Sequence, residues 1–470
     1  MKRRLFVIAI IASLMTGCMV GPKYHRPAVK PPDTFRGTGT LAPAATAESL
    51  ADLKWFEVFK DERLQDLIRT ALTSNYDLRQ AVVRVDAARA NLGITRADQF
   101  PTITAGGNIT TQRNSANGGF PFPANINRDR TFGSVLLNLV SFELDIWGKL
   151  RRATEARRAE LLAAEENRKA VVTTLVADVS TAYFNLIELD TELEVARRTL
   201  ASRQDSLRLI RLREQGGVAT LLEVRQAEQL VYNATQSIAD IERRTEQNEN
   251  FISLLIGNNP SEITRGRSLI AQEQPPLVPP GLPSSLLERR PDIRQAEQNL
   301  IASNAIIGVA RAAYFPTISL TASFGGQSNQ LSELFNGLSR TWSFIPQATQ
   351  PIFNAGRIKS NVRLAEAQQQ LALVEYEQTI QTAFREVSDA LVQYRKVREI
   401  HTQRELLVTT LQDRSRLAYL RYRGGVDTLL NALDADRDLF NAELNLAQTR
   451  RDELLALVQL YKALGGGWQQ

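Results

Sequence analysis

The sequence predicts a mainly α-helical chain with a membrane β-barrel part. It is organised as an internal two-fold repeat with four strands and long coiled-coil helical hairpins. Three observations carry this prediction. The chain is written twice, at an offset of 215 residues. Two proline-free stretches, 149–213 and 357–422, space their apolar residues at a coiled-coil period. Two Phe-Pro-Thr-Ile sequences, at 100–103 and 315–318, stop helical patterns and open segments rich in Thr, Ile, Ala and Gly.

The chain opens on a leader. Lys2, Arg3 and Arg4 precede an apolar run at 5–14, broken only by Ser13 and too short to span a bilayer as a helix. Met15-Thr16-Gly17-Cys18 resembles the bacterial lipobox, in which the Cys is lipidated and becomes the first mature residue. Residues 1–17 are therefore read as a signal peptide and Cys18 as the acylation site. Met19 stands where an inner-membrane retention signal would place Asp, so lipoprotein sorting points to the outer membrane. No later run of 18 apolar residues occurs, so any membrane crossing is expected as a closed β-barrel.

Residues 18–62 form an acylated tail and a first equatorial segment, and 63–256 form the first repeat. Asp77-Leu78-Arg79-Gln80-Ala81 returns as Asp292-Ile293-Arg294-Gln295-Ala296, and 13 of the 27 positions from 77 to 103 are identical. A strand pair is expected at about 101–147, with Asn117-Gly118-Gly119 in its loop. A long helix follows Gly148. Val172, Leu175, Val179, Ala182, Leu186, Leu189, Leu193, Ala196, Leu200, Arg203, Leu207 and Ile210 step by threes and fours, with Arg203 the polar break. At about 1.5 Å per residue this helix reaches roughly 100 Å, beyond any compact domain. Its tip lies at 214–218, and a helix returns over 218–256. A Pro-rich equatorial linker, 257–283, leads to the second repeat, 284–464, and a tail at 465–470.

In the second repeat the strand pair is expected at about 316–354, with Asn336-Gly337 in its loop, and the long helix follows Gly356. Its stripe is weaker: Ile380, Ala383, Val387, Ala390, Tyr394, Val397, His401, Arg404, Val408 and Leu411. His401 is expected as a packed seam residue. The tip lies at 422–426. Gly216-Gly217-Val218-Ala219-Thr220-Leu221-Leu222 recurs there as Gly424-Gly425-Val426-Asp427-Thr428-Leu429-Leu430, now at an offset of 208. The seven lost residues fall between Ile103 and Gly148, where a longer loop in the first copy absorbs them.

Composition narrows the function. A single Cys excludes a disulfide framework and a Cys-based zinc site, and two His far apart leave no His-rich metal site. The net charge of +6 drops to +3 without the three leader cations. The remaining charges are mixed along helices, so nucleic acid is not an expected partner. No phosphate loop, nucleophile–base pair or metal cluster stands out, and the chain is read as a non-enzyme without cofactor or metal.

Four strands do not close a barrel, because single-chain membrane barrels begin at eight. Two copies of the chain would supply eight strands and a side-chain-filled lumen; three would supply twelve and an aqueous bore. Further motifs bear on this choice. They are Val20-Gly21-Pro22-Lys23-Tyr24-His25-Arg26-Pro27, Trp55-Phe56-Glu57-Val58-Phe59, Arg289-Arg290-Pro291-Asp292-Ile293-Arg294, Ala463-Leu464-Gly465-Gly466-Gly467-Trp468, and the run from Tyr422-Arg423-Gly424-Gly425 through Leu433-Asp434-Ala435. In this order, and with the repeat, the chain resembles the TolC-like outer-membrane efflux factors, in the lipoprotein branch of OprM and NodT-type proteins. The resemblance implies a homotrimer whose 12-strand barrel is continuous with a 12-column α-helical tunnel. It also implies a periplasmic adaptor protein and an inner-membrane efflux transporter of the proton-driven RND type.

The glycine pairs Gly216-Gly217 and Gly424-Gly425 suit tight helix–helix turns, since glycine accepts positive φ. The resemblance turns these tips, with Tyr422, toward the adaptor. Leu430 and Asp434 are four residues apart and share a helix face. By resemblance they narrow the periplasmic aperture, where three Asp434 carboxylates would repel one another and attract cations. The first copy has Leu222 and Gln226 at these places, and Asn431 stands where relatives place a second acid. Arg421, Arg423 and Asp427 are candidates for a latch that holds the tip shut. Two other readings have sequence consequences of their own. A lipidated periplasmic adaptor would show a single hairpin between β domains, and a structural coiled-coil protein of an export complex would lack the strands.

Overall fold

The computed structural model describes residues 19–36, 50–115, 128–273 and 283–468. Cys18 and the expected Asn117-Gly118-Gly119 turn lie outside them. Two compact units emerge, and each draws segments from both copies of the repeat.

The first unit comprises Met1–Pro27, Asp86–Ala163 and Ala296–Tyr376. It holds the four expected strands: β1 Ile103–Arg113, β2 Asp129–Glu143, β3 Thr317–Ser328 and β4 Arg340–Thr349. They form one antiparallel sheet in the order β1-β2-β3-β4. The strand pairs are expected at about 101–147 and 316–354. Each ends earlier, at Glu143 and Thr349.

Side chains alternate across a strand, so the register sorts them into two faces. Ile103, Ile109, Val135, Leu137, Ile318, Phe324, Trp342 and Phe344 share one face. Thr104, Asn108, Thr110, Ser134, Thr321, Ser323 and Ser343 share the other. On the polar face Ser134 donates to Asn108, and the hydroxyls of Ser323 and Ser343 lie 2.7 Å apart. A bulge between Leu139 and Phe142, with Ser141 at φ 35°, transfers Phe142 to the apolar face beside Leu320. The apolar face is exposed: Leu137, Phe324, Trp342 and Phe344 all stand open. Among the described residues no strand lies beside the outer edge of β1 or of β4.

The Val20–Pro27 motif is a strap on this unit. Val20 N–H donates to the Trp147 carbonyl at 3.0 Å, and Asn304 donates to the Pro22 carbonyl at 3.2 Å. Tyr24 and Arg26 both donate to the Glu297 carboxylate, at 3.1 and 2.9 Å. Gly21 has φ 108°, and a Cβ there would lie 2.5 Å from the Gly308 Cα. The motif therefore needs glycine for both conformation and space. Trp147 stacks on Phe315 at 4.7 Å and donates its indole N–H to the Pro316 carbonyl.

The second unit comprises Ala28–Val85, Ala164–Gln295 and Glu377–Gln470. Along the chain the helices are α1 Trp55–Val58, α2 Glu62–Ser74, α3 Tyr76–Ala97, α4 Lys149–Gln215, α5 Leu221–Leu255, α6 Pro283–Arg289, α7 Pro291–Ala312, α8 Arg357–Arg423 and α9 Leu429–Ala463. The two long helices each run 67 residues without a break. The expected seam of α4 is buried along its length, with Leu193 and Leu200 partly so. On α8 the stripe is buried through Val397, and His401 lies beside Glu405 and Glu453 at 3.7 and 3.8 Å. α4 is long and apolar enough to cross a membrane by length and composition alone, as a mostly buried core helix also is. In the structure 67% of its most apolar 18-residue window is buried.

The helical segment that opens the first repeat is broken at Asn75, between α2 and α3. The second copy breaks at Arg290, the equivalent position. Each breaking residue fastens the end of its own returning helix. Asn75 donates to the Leu255 carbonyl at 3.0 Å and accepts from Leu78 N–H. Arg290 donates to the Ala463 carbonyl at 3.0 Å and pairs with Asp292 and Glu386. Leu255 and Ala463 are themselves equivalent residues. Gly257 and Gly465 follow them at φ 74° and 82°, and a Cβ at Gly257 would strike the Ser74 carbonyl at 2.6 Å. Two short helices thus meet end to end in each copy.

Buried polar groups tie this unit together. Asp61 caps α2 and accepts from Tyr183, the Arg267 amide and Gln272, at 3.0, 3.1 and 2.7 Å. Despite burial, these hydrogen bonds hold its carboxyl below the usual range. Glu188 and Glu192 stand one turn apart on α4. Glu192 accepts from Gln448 at 2.7 Å and Arg244 at 3.0 Å. Glu188 is 0% exposed and accepts from Arg451 at 3.3 Å, while its second oxygen has no hydrogen-bond partner. Burial, then the neighbouring Glu192, pushes Glu188 up to about 8 against the pull of Arg451 and Arg244. A carboxyl raised in the fold binds its proton more tightly folded than unfolded. Its contribution is whole below 4.5 and is lost as the pH rises toward and past 8. Glu188→Gln should therefore flatten the loss of thermal stability between neutral and alkaline pH. Melting curves that fall equally steeply for both proteins would contradict this.

Candidate functional site

The two helical tips lie side by side in the second unit, and each is closed by its own sequence. At the first, Gly217 takes φ 71°. Its N–H donates to the Glu214 carbonyl at 2.9 Å, and Val218 N–H donates to the Arg213 carbonyl at 2.8 Å. At the second, Gly425 takes φ 70°, with Gly425 N–H on Tyr422 and Val426 N–H on Arg421, both at 3.1 Å. Both are Schellman closures with glycine in the left-handed position. A Cβ on either glycine would meet nothing within 4 Å, so backbone conformation alone demands glycine.

The returning helices are fastened differently. Thr220 forms a capping box: it accepts from Glu223 N–H at 3.3 Å, and the Glu223 carboxylate accepts from Thr220 N–H at 2.6 Å. In the second copy Asn431 replaces that Glu, and Thr428 makes no side-chain cap. Asp427, which stands in the place of Ala219, takes over. It accepts from the Thr428 amide at 2.8 Å, from Asn431 at 2.6 Å and from Arg421 Nε at 3.1 Å. The Asn431, Thr428 and Arg421 hydrogen bonds hold its carboxyl below the usual aspartate range. The second tip is thus clasped by an ion pair between the last turn of α8 and the turn that leads into α9.

One apolar cluster joins the tips. Leu207, Ile210, Val224 and Val231 from the first copy pack with Tyr422, Leu429 and Leu433 from the second. The Arg213 guanidinium lies 4.8 Å over the Tyr422 ring, and the buried Tyr422 hydroxyl has no hydrogen-bond partner. Burial pushes that phenol up, partly opposed by Arg213. Farther from the tips, buried Arg203 donates to Asp436 at 2.7 Å and to the Leu230 carbonyl at 3.1 Å, and stands 4.9 Å over Phe440. Sequence reading marked Arg203 only as a polar break. A lone arginine on an apolar seam was the available signal that a carboxylate faces it.

Leu430 is half exposed, and Asp434, one turn on, pairs with Arg437 at 3.1 Å. Both lie off the face that Leu429, Ala432 and Leu433 bury. Gly216, Gly217, Gly424, Gly425, Arg421 and Arg423 are exposed at the tips, while Tyr422 is part of the core between them. Cys18 lies outside the described residues. Among the described residues no cluster of His, Cys, Asp or Glu could hold a metal.

Comparison with known proteins gives concordant matches. The family model for outer membrane efflux proteins matches residues 67–258 and 282–466, two segments that begin at equivalent points of the repeat. The probable efflux pump outer membrane protein TtgC of Pseudomonas putida is 38% identical, over 100% of this chain and 97% of that protein. Outer membrane protein OprJ of Pseudomonas aeruginosa is 39% identical over 98% and 95%. The open state of the MtrE outer membrane channel from Neisseria gonorrhoeae aligns with a TM-score of 0.85 at 33% identity, over 96% and 99% of the two chains.

The different fastenings make the tips separately testable. Asp427→Ala should speed amide exchange across 427–432 and leave 216–223 unchanged. Equal exchange at the second tip in variant and wild type would refute the clasp. Gly425→Ala should cost about 1–2 kcal/mol through its left-handed backbone alone.

Proposed function

This chain belongs to the outer membrane efflux protein family, and we propose that three copies of it form the exit duct of a tripartite efflux system. It is an outer-membrane channel, not an enzyme. The sheet is the observation that carries the trimer. It has an exposed apolar face, a polar face and two open edges. Three such sheets make a closed twelve-strand barrel with apolar residues toward lipid and Thr, Ser and Asn toward an aqueous bore. The helical hairpins of the three copies wall a tunnel in the periplasm. Acyl chains on Cys18 hold the N-terminus in the outer membrane.

The tips meet a periplasmic adaptor, which links the duct to an inner-membrane transporter of the RND type. Leu430 and Asp434, outside the buried tip cluster, ring the aperture at the threefold axis. Arg421–Asp427 and Arg213–Tyr422 keep each tip in one shape, with Arg423 exposed beside them. The cargo is drugs or other small molecules. Relatives from Pseudomonas putida are named for antibiotic and toluene efflux. A channel with these parts conducts passively, and selection falls to the pump.

Leu430→Ala combined with Asp434→Ala should raise single-channel conductance in planar bilayers, and Asp434→Asn alone should lower cation preference. Conductance and selectivity equal to wild type in both variants would overturn the aperture assignment.

A further inference from the structure

The connection between β3 and β4 does not project freely from the sheet. Gln330 N–H donates to Ser328 Oγ at 3.1 Å, Asn336 N–H to the Glu333 carbonyl at 2.9 Å and Ser339 N–H to the Asn336 carbonyl at 3.0 Å. The loop folds back onto the apolar face. Leu334 is 7% exposed, and its carbonyl oxygen lies 2.1 Å from where a Cβ of Gly326 would stand. Leu331 lies 2.8 Å from the Cβ position of Gly133. Both glycines are on the apolar face by register. Neither has positive φ, so space rather than conformation requires glycine there: a side chain would lift the loop away.

A loop docked this firmly still presents Phe335 at 84% exposure and Leu338 at 98%, next to Trp342 at 72%. Between loop and sheet runs a cleft of about 290 Å³, whose walls include Ala105, Val135, Leu137, Phe324, Leu334 and Phe335. The cleft continues the apolar face of the sheet. On β3 and β4 it lies toward the ends opposite those joined to α7 and α8. We propose that the β3–β4 loop is a lipid-docking element, which seats hydrocarbon chains of the outer leaflet in this cleft and places Phe335 and Leu338 among them. The proposal rests on the reading of the apolar face as the lipid face. An aqueous loop has no reason to fold onto that face and keep two large apolar side chains outward, whereas a bilayer solvates both.

The test uses nitroxide labels at Leu338→Cys, Phe344→Cys and Gln347→Cys in the full-length trimer, reconstituted in phosphatidylethanolamine–phosphatidylglycerol vesicles. The unsubstituted chain, labelled in parallel, corrects for Cys18. Power saturation compares access to oxygen, which partitions into lipid, with access to a water-soluble nickel complex. Phe344 reports the lipid face and Gln347 the polar face. The label at Leu338 should shift toward the oxygen-rich, nickel-poor ratio of Phe344. A ratio like that of Gln347, with Phe344 still in lipid, would overturn the loop proposal alone. Shielding from both reagents, as burial by a neighbouring copy gives, would overturn it too. Nickel access at Phe344 itself would remove the lipid face, and the proposal with it.

Discussion

Backbone hydrogen bonding at the edges of a four-stranded sheet is the constraint on which the rest depends. Each outward N–H and C=O of β1 and β4 needs a partner, and hydrocarbon offers none. The sheet is too narrow to meet its own edge and has a large apolar face already turned outward. A neighbour of the same sequence satisfies both demands, since β4 of one copy offers what β1 of the next lacks. In the proposed trimer, symmetry would multiply whatever the helices carry, and a single carboxylate such as Asp434 would become a ring.

The repeat shows how one backbone plan is held by different chemistry. Asn75 and Arg290 break their arms at equivalent points and fasten equivalent helix ends, one with an amide and the other with a guanidinium. Thr220–Glu223 and Arg421–Asp427 likewise close equivalent tips, one with a capping box and the other with an ion pair. Position is kept while the hydrogen-bonding group changes. The second tip thereby acquires an ion pair, Arg421–Asp427, where the first has a capping box, and its closure answers to salt.

Much of this was legible in the sequence, because periodicity and punctuation are local. The long helices end within two residues of the expected limits, where Gly-Gly pairs stop them. Pro101 and Pro316 mark the strand entries. The break at Asn75 was hidden because no proline follows it, and Pro291, which does follow the equivalent break at Arg290, was read only as part of a motif. The N-terminal motif was visible as a pattern but not as a strap, since its partners Glu297 and Asn304 lie far along the chain. The pairing of Arg203 with Asp436 was hidden for the same reason: a seam position states that something packs there, not which charge waits opposite.

The most direct test of the shared wall is chemical. Thr110→Cys on β1 and Ser343→Cys on β4, placed in one chain and treated in membranes with a short bis-maleimide, report whether the two edges meet between copies. The account requires a denaturing gel ladder that stops at three chains and disappears when either cysteine is omitted. A chain that remains single after complete modification of both cysteines would contradict it.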